Sequence, residues 1–316
     1  MATHRRPRRP RISRSASETR LLRTKKLEAS LLSLLQKTSI LFMNAIPLAV
    51  YVVSGAAYAV HFSARKPMSG RIATVSLVFG VLVHTFVIGM QTMQVGHIPL
   101  VGTTGAISAF VWLLALAYLY TEMTTDERAM GIFIVPLMVI LQLIPAITNE
   151  VSARPPVLES RWFELHVSSL LVAYASFALA CVISITYVLL FKELKGKHLG
   201  VFYARLPSLQ VLDVMNSRAV TFGWIFLTVG LGVGAVWLLE VSPTAADPRV
   251  QAMSILDPKI FIVVLCWLVY TFSVYARRTT GWSGRQAAWL SAIGFGLLLL
   301  NFVPIGYFVT RSHNFY

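Results

Sequence analysis

The sequence predicts an all-α integral membrane protein with about eight transmembrane helices and a disordered basic N-terminal tail. Of its 316 residues, 56% are hydrophobic and 13% are charged, whereas an ordinary soluble domain carries about 25% charged residues. Apolar runs of roughly 20 residues recur after residue 38, and each can cross a ~30 Å hydrocarbon layer as a helix. The runs are continuous rather than alternating, which excludes a soluble protein and favours helices over a transmembrane barrel.

The first 37 residues form a separate basic segment. Residues 1–26 contain ten Lys and Arg side chains and one acid, Glu18, in a chain with a net charge of +15. Their few apolar side chains cannot offset the entropy lost on ordering, so we predict a disordered tail over residues 1–37. A solvated or lipid-touching arm, without a nucleic-acid partner, is the favoured interpretation. A transit peptide or a misassigned start codon are the alternatives.

The membrane domain is predicted to comprise residues 38–316. We place its eight spans at residues 38–62, 72–92, 101–120, 131–148, 162–191, 219–240, 260–276 and 286–310. The loops that follow the odd-numbered spans contain twelve Lys and Arg residues. The loops that follow the second, fourth and sixth spans contain four. The positive-inside rule therefore predicts that the odd-numbered spans end in the cytoplasm. The N-terminal tail contradicts this orientation, because it would lie outside despite its charge.

Two smaller patterns have structural interpretations. Cys181 and Cys266 lie inside apolar runs without the spacing of a redox pair or metal site, so we interpret them as small apolar filler. The sixth span has a glycine-rich face, which indicates close helix packing rather than a ligand cradle. Its glycines are Gly223, Gly230, Gly232 and Gly234.

Four of the seven histidines fall on the predicted outer side: His84, His97, His166 and His313. A histidine inside hydrocarbon normally faces a partner or a cavity, so His84 is a functional candidate. The alternative is a hydrogen bond from His84 to another helix. Neutral imidazoles also ligate haem iron, and two from different helices can clamp it. His97 and His313 can equally be ordinary interfacial residues.

Three ordered stretches carry a family resemblance. They are HTF at residues 84–86 followed by GHIPL at 96–100, LHVSS at 165–169 followed by YA at 174–175, and GAVW at 234–237 followed by LDPK at 256–259 and WLVY at 267–270. Together they resemble the cytochrome c assembly family that includes CcsA, CcmC and HemX. The resemblance covers about residues 72–316.

The resemblance implies a haem-handling protein. In that family, haem is received within the membrane and presented on a tryptophan-rich outer loop, flanked by histidines, for attachment to apocytochrome c. His166 matches the first of those histidines and His313 is the candidate for the second. Asp257, Pro258 and Lys259 match the core of the tryptophan-rich motif. A CcsB or ResB-like assembly partner is implied as well.

The sequence also departs from the family pattern. No tryptophan occurs in residues 241–255, and Leu256 stands where the motif has one. Tyr275 occupies the place of a haem-ligating membrane histidine, although a tyrosine can also ligate haem iron. Gly105 replaces an acidic residue. These departures are closer to the HemX-like branch.

Our leading hypothesis is therefore a component of cytochrome c maturation that binds or passes haem toward the outer face, positioning it rather than acting as a stand-alone enzyme. The alternative is a HemX-like regulatory or scaffolding subunit without haem chemistry of its own. A transporter of a small organic substrate is the third hypothesis. We expect a multi-pass protein of the bacterial inner (plasma) membrane, with a plastid membrane as the second option.

Overall fold

Nine α-helices make up the regular structure of the described residues. The computed structural model describes residues 12–64, 66–98, 100, 102–148, 160–197, 200–241, 258–282 and 284–301, and no strand occurs among them. The helices are α1 (Ile12–Ala64), α2 (Pro67–Val95), α3 (Thr103–Thr125), α4 (Gly131–Ile147), α5 (Arg161–Lys195), α6 (Val201–Arg205), α7 (Leu209–Val241), α8 (Pro258–Thr279) and α9 (Arg285–Leu300).

Six of these helices contain segments long and apolar enough to cross a membrane: Thr38–Ala64, Pro67–Gln94, Thr103–Thr125, Arg161–Lys195, Leu209–Leu239 and Pro258–Thr279. The helices α4 and α9 are shorter and apolar, and they coincide with the fourth and eighth predicted spans. The prediction of an all-α membrane protein is confirmed. The last part of the eighth predicted span, beyond residue 301, lies outside the described residues.

The N-terminal segment differs from its prediction. α1 begins at Ile12, so the described part of the expected disordered tail is helical. Residues 16–37 are rich in Ala, Leu, Glu, Lys and Arg, which favour helices. Once the membrane segment of α1 has formed, each added residue avoids the cost of nucleation. The prediction of disorder was based on apolar content, which measures only whether a segment can form a core. Leu22, Leu27 and Leu31 in this part of α1 do remain exposed.

The long helices form two groups that share α3. In the first group, α1 packs against α2 and α4. In the second, α5 packs against α7 and α9, and α8 packs against α7 and α9 as well. α3 contacts α2 and α4 on one side and α5 and α7 on the other. The largest fully buried side chains are aromatic and lie in both groups: Tyr51, Tyr58 and Tyr118 in the first, Phe177 and Tyr270 in the second.

The most extensive helix contact is between α5 and α7, and glycines make it possible. A Cβ atom at Gly223 would lie 2.7 Å from the Phe177 ring, and one at Gly230 would lie 2.8 Å from the Leu170 side chain. Gly234 sits against His166. The predicted packing role is confirmed for these three, whereas Gly232 has no neighbouring atom within 4 Å of an added Cβ.

Reciprocal hydrogen bonds attach α8 to α7. The indole Nε1 of Trp224 donates to Thr271 at 2.8 Å, and the indole Nε1 of Trp267 donates to Thr228 at 2.9 Å. Interhelical bonds of this kind supply specificity in lipid, where hydrophobic burial does not drive helices together. α8 is thus held at two levels along α7.

Several helix ends that carry the predicted cytoplasmic charges share one end of the bundle. Arg205 Nη1 donates to the carbonyls of Phe62 and Ser63 at the end of α1. Arg218 Nη1 donates to the carbonyl of Thr124 at the end of α3, 3.2 Å away. We call this end the inner end, following the charge prediction, and the opposite end the outer end.

The glycine face gives a direct test of the packing. Gly223→Ala is expected to lower the free energy of unfolding by about 1–3 kcal/mol, because the new methyl group collides with the fully buried Phe177 ring. Gly232→Ala is the matched control in the same helix and should be neutral or slightly stabilising. Denaturant unfolding in detergent measures both. Equal effects of the two substitutions would contradict this account of the α5–α7 contact.

Candidate functional site

His166 is positioned by the start of α5. The hydroxyl of Ser160 caps this helix by accepting a hydrogen bond from the backbone N–H of Trp162 at 3.3 Å. Glu164 lies in the first turn, where a negative charge interacts favourably with the helix dipole. The cap fixes where α5 begins, so His166 lies in its second turn, at the outer end of the bundle.

The His166 ring is oriented by the backbone of α7. Its Nδ1 lies 2.7 Å from the carbonyl oxygen of Gly230. A carbonyl only accepts, so Nδ1 carries the hydrogen and the lone pair of the neutral ring is on Nε2. A Cβ at Gly234 would collide with the ring, which therefore fills the space that this glycine leaves. Metal-ligating histidines are commonly held by a carbonyl in this way.

Aromatic rings lie beside His166. Phe163 precedes it by three residues in α5, and its ring centroid is 5.6 Å from that of Trp237 on α7. Both side chains are buried, and the Trp237 indole Nε1 has no hydrogen-bond partner among the described residues. A buried indole N–H generally finds a partner. The outer end of the α5–α7 pair thus combines an oriented imidazole, an apolar aromatic wall and a buried donor that no described residue accepts from.

His84 lies in a different environment, in the first helix group. The residue is fully buried. Its Nδ1 is 3.0 Å from the Tyr51 hydroxyl on α1, and its Nε2 is 3.0 Å from the Ser108 hydroxyl on α3. Both ring nitrogens therefore have protein partners, and an iron atom could bind only in place of one hydroxyl. The hydrogen-bonding alternative weighed for His84 describes its observed contacts.

The His84 contacts continue into a network that joins four helices. Gln142 on α4 donates to the backbone carbonyl of Asn44 at 3.3 Å and lies 3.5 Å from the Ser108 hydroxyl. Gln91 on α2 donates to the Asn44 side chain at 2.8 Å. Asn44 in turn donates to the carbonyl of Pro145 at 3.1 Å. The fold thus brings the buried carboxamides Asn44, Gln91 and Gln142 together with Ser108 and His84.

The other predicted site residues are spread over the molecule. His97 lies in the turn between α2 and α3, and its Nδ1 is 3.0 Å from the carbonyl of Ile98. Tyr275 lies near the inner end of α8 with 62% of its surface exposed. Pro258 and Lys259 begin α8 at the outer end. Asp257 and His313 lie outside the described residues.

Sequence reasoning missed a buried carboxylate. Glu122 on α3 is 1% exposed, and the Tyr58 hydroxyl donates to its Oε2 at 2.6 Å. The Thr74 hydroxyl donates to the other oxygen, from which Arg128 Nε is 3.9 Å away. The predicted third span ended at residue 120, which assigned this acid to a loop. The sequence does contain a signal for this buried acid. Glu122 lies just after an apolar run, and Arg128 follows it six residues later.

A second ionic cluster, also missed, lies at the inner end of the other helix group. Arg277 on α8 donates to Asp213 at 3.0 Å and to the side-chain oxygen of Asn216 at 2.9 Å. Asn216 donates to Ser184 on α5 at 2.7 Å and accepts from Ser291 on α9 at 3.1 Å. The charges are paired, as partly buried charges must be. This cluster connects α5, α7, α8 and α9.

Neither ionic cluster has the composition of a metal site. Among the described residues, no group of three or more His, Cys, Asp or Glu side chains could hold a metal ion. His166, His84 and His97 each lie among different partners, so the described residues do not bring two of the candidate histidines together.

Comparison with known proteins matches most of the chain to one family. The model of the family described as cytochrome c assembly protein matches residues 41–314. The chain is 24% identical over 260 residues to the cytochrome c biogenesis protein CcsA of Guillardia theta, which covers 76% of this chain and 84% of that protein. It is 23% identical over 305 residues to CcsA of Prochlorococcus marinus strain MIT 9303, covering 87% and 90%. With CcsA of Chlamydomonas reinhardtii it shares 29% over 210 residues, covering 63% and 56%.

The His84 network predicts a stability effect. His84→Ala is expected to lower the free energy of unfolding by about 1–3 kcal/mol or more, because two buried hydroxyls lose a partner and a cavity forms. His97→Ala serves as the control, since the His97 ring contacts only the carbonyl of the adjacent residue, Ile98, among the hydrogen bonds of the described residues. Thermal unfolding in detergent compares them. A His84→Ala protein as stable as the control would show that the network does not hold these helices together.

Proposed function

Because the chain belongs to the cytochrome c assembly protein family, with a role in cytochrome c biogenesis, we propose that it binds haem at the outer end of the α5–α7 pair and passes it toward attachment to apocytochrome c. The observation that carries the proposal is the orientation of His166 by the Gly230 carbonyl. That hydrogen bond puts the lone pair on Nε2, the nitrogen through which this imidazole would ligate iron.

The residues around His166 fit a haem group. Porphyrin is a flat apolar body, and the Phe163 and Trp237 rings offer it a matching aromatic surface. The Trp237 Nε1, which has no acceptor among the described residues, supplies a donor that a carboxylate of haem would satisfy. When bound, haem supplies the group that is joined to apocytochrome c. The chain supplies the iron ligand, the ring orientation and the apolar wall.

Further residues are proposed from the sequence. His313 is the candidate for the second outer ligand, and Asp257, Pro258 and Lys259 are proposed to shape the loop that presents haem. His84 ranks after His166, because both of its ring nitrogens contact hydroxyls. Tyr275 ranks below both, since it lies near the inner end of α8 on an exposed face.

The proposed partners follow from the same role. A CcsB or ResB-like membrane protein would complete the assembly apparatus, and apocytochrome c would accept haem at the outer face. The protein is a multi-pass membrane protein, and we propose the bacterial inner membrane as its location. CcsA relatives occur both in cyanobacteria and in algae.

A visible absorption spectrum with a pyridine haemochrome assay tests haem binding. We expect the protein purified in detergent, from cells supplied with a haem precursor, to retain haem. His166→Ala should lower haem affinity by about tenfold or more, since even outer-shell partners of metal ligands contribute 10–100-fold. His61→Ala, at the inner end, is the matched control and should retain the wild-type amount. A folded wild-type protein without a Soret band would overturn the proposal.

One observation favours the HemX-like alternative: the absence of tryptophan from residues 241–255. A deletion strain separates the two functions. Loss of covalently attached cytochrome c with normal total haem is the outcome we expect from an assembly component. Altered haem-precursor levels with intact c-type cytochromes would instead identify a regulatory subunit.

A further inference from the structure

A lateral groove opens on the outside of the bundle where its two helix groups meet. It lies between α3, α5 and α7 and encloses about 370 Å³. Its floor consists of buried residues from the three helices, among them Thr121, Leu179 and Ala219. Its rim consists of the half-exposed side chains of Leu116, Tyr120 and Phe222. In a membrane-spanning bundle, such a rim faces lipid.

The groove is apolar along its length and charged at one end. Its lining runs along α7 from Arg218 to Phe226, a rise of eight residue steps or about 12 Å. The Tyr120 and Phe222 rings lie parallel to within 24° at the rim, with centroids 6.3 Å apart. Arg218 closes the inner end. An apolar slot that ends at a guanidinium matches an amphiphile with an anionic head and a hydrocarbon tail.

Arg218 retains donors for such a head group. Its Nη1 donates to the Thr124 carbonyl, which anchors the side chain at the end of α3. The side chain is exposed, and a guanidinium carries five N–H donors in a planar fork that suits phosphate. Arg218 also lies at the inner end of the bundle, the end predicted to face the cytoplasmic leaflet. That leaflet has a negative surface potential because it carries anionic lipid.

From this geometry we infer that the groove is a binding site for an anionic phospholipid. One acyl chain lies in the slot between α3 and α7, and the phosphate meets the Arg218 guanidinium. Haem is the other amphiphilic anion to consider. The lining residues include no His, Cys or Met to ligate its iron, and the tyrosine among them, Tyr120, lies at the exposed rim with its ring beside that of Phe222. The lipid would fill the junction between the two helix groups. This inference does not depend on haem binding at His166.

Photocrosslinking tests the site in the full-length protein. The probe is phosphatidylglycerol with a diazirine in one acyl chain, incorporated into nanodiscs with unlabelled lipid. We expect crosslinks in peptides that contain residues 113–121 and 219–226. The Arg218→Gln substitution should lower this labelling about fivefold. This factor corresponds to the binding free energy that one arginine contributes near an anionic membrane surface. A phosphatidylcholine probe with the same diazirine should label the wild type at a similarly reduced level.

Two further variants separate the groove from general effects. Arg278→Gln removes an exposed arginine from the inner end of α8 and should leave the labelling unchanged. Ala117→Leu narrows the groove while retaining Arg218 and its bond to Thr124, so it should also lower the labelling. The inference fails if Arg278→Gln and Arg218→Gln act equally, or if the crosslinks lie outside these peptides. It also fails if equimolar haemin, rather than unlabelled phosphatidylglycerol, displaces the probe.

Discussion

The close approach of α5 to α7 is the constraint on which the rest of the structure depends. Gly223, Gly230 and Gly234 leave space that Phe177, Leu170 and His166 fill. In lipid, this packing replaces the hydrophobic driving force that holds soluble helices together. The same contact brings the Gly230 carbonyl within hydrogen-bond distance of the His166 ring. Helix packing and the orientation of the proposed ligand are therefore one feature, and neither can change without the other.

Buried polar groups determine how the remaining helices are arranged. An unpaired polar group in hydrocarbon costs several kcal/mol, so each such side chain selects the packing that pairs it. The His84 network joins the four helices α1, α2, α3 and α4. The cluster of Asp213 and Arg277 joins α7 to α8, and Asn216 extends it to α5 and α9. Glu122 ties α3 to Tyr58 on α1 and to Thr74 on α2. The first helix group is thus held by two polar centres, around His84 and around Glu122, and the second by the cluster around Asn216.

The sequence predicted the helices well because each apolar run carries its own evidence of length and hydrophobicity. It placed His166 at the outer start of α5 for the same reason. It did not predict the partners of His84 or the burial of Glu122, because these depend on which helices become neighbours. The N-terminal part of α1 was missed because apolar content measures the ability to form a core. Residues 12–37 continue the membrane helix of α1 instead, and Leu22, Leu27 and Leu31 in this part stay exposed. Asp257 and His313 lie outside the described residues, so their roles still rest on the sequence alone.

The type of hydrogen-bond partner separates His84 from His166. His84 contacts two hydroxyls, and a hydroxyl can both donate and accept, so either tautomer satisfies that network. A ring held in this way serves packing, because nothing assigns a lone pair to one particular nitrogen. His166 contacts a carbonyl, which only accepts, so its tautomer is fixed by the backbone of α7. A metal ligand requires a defined donor atom in a defined direction. His166 meets that requirement through the same glycine face that packs α5 against α7.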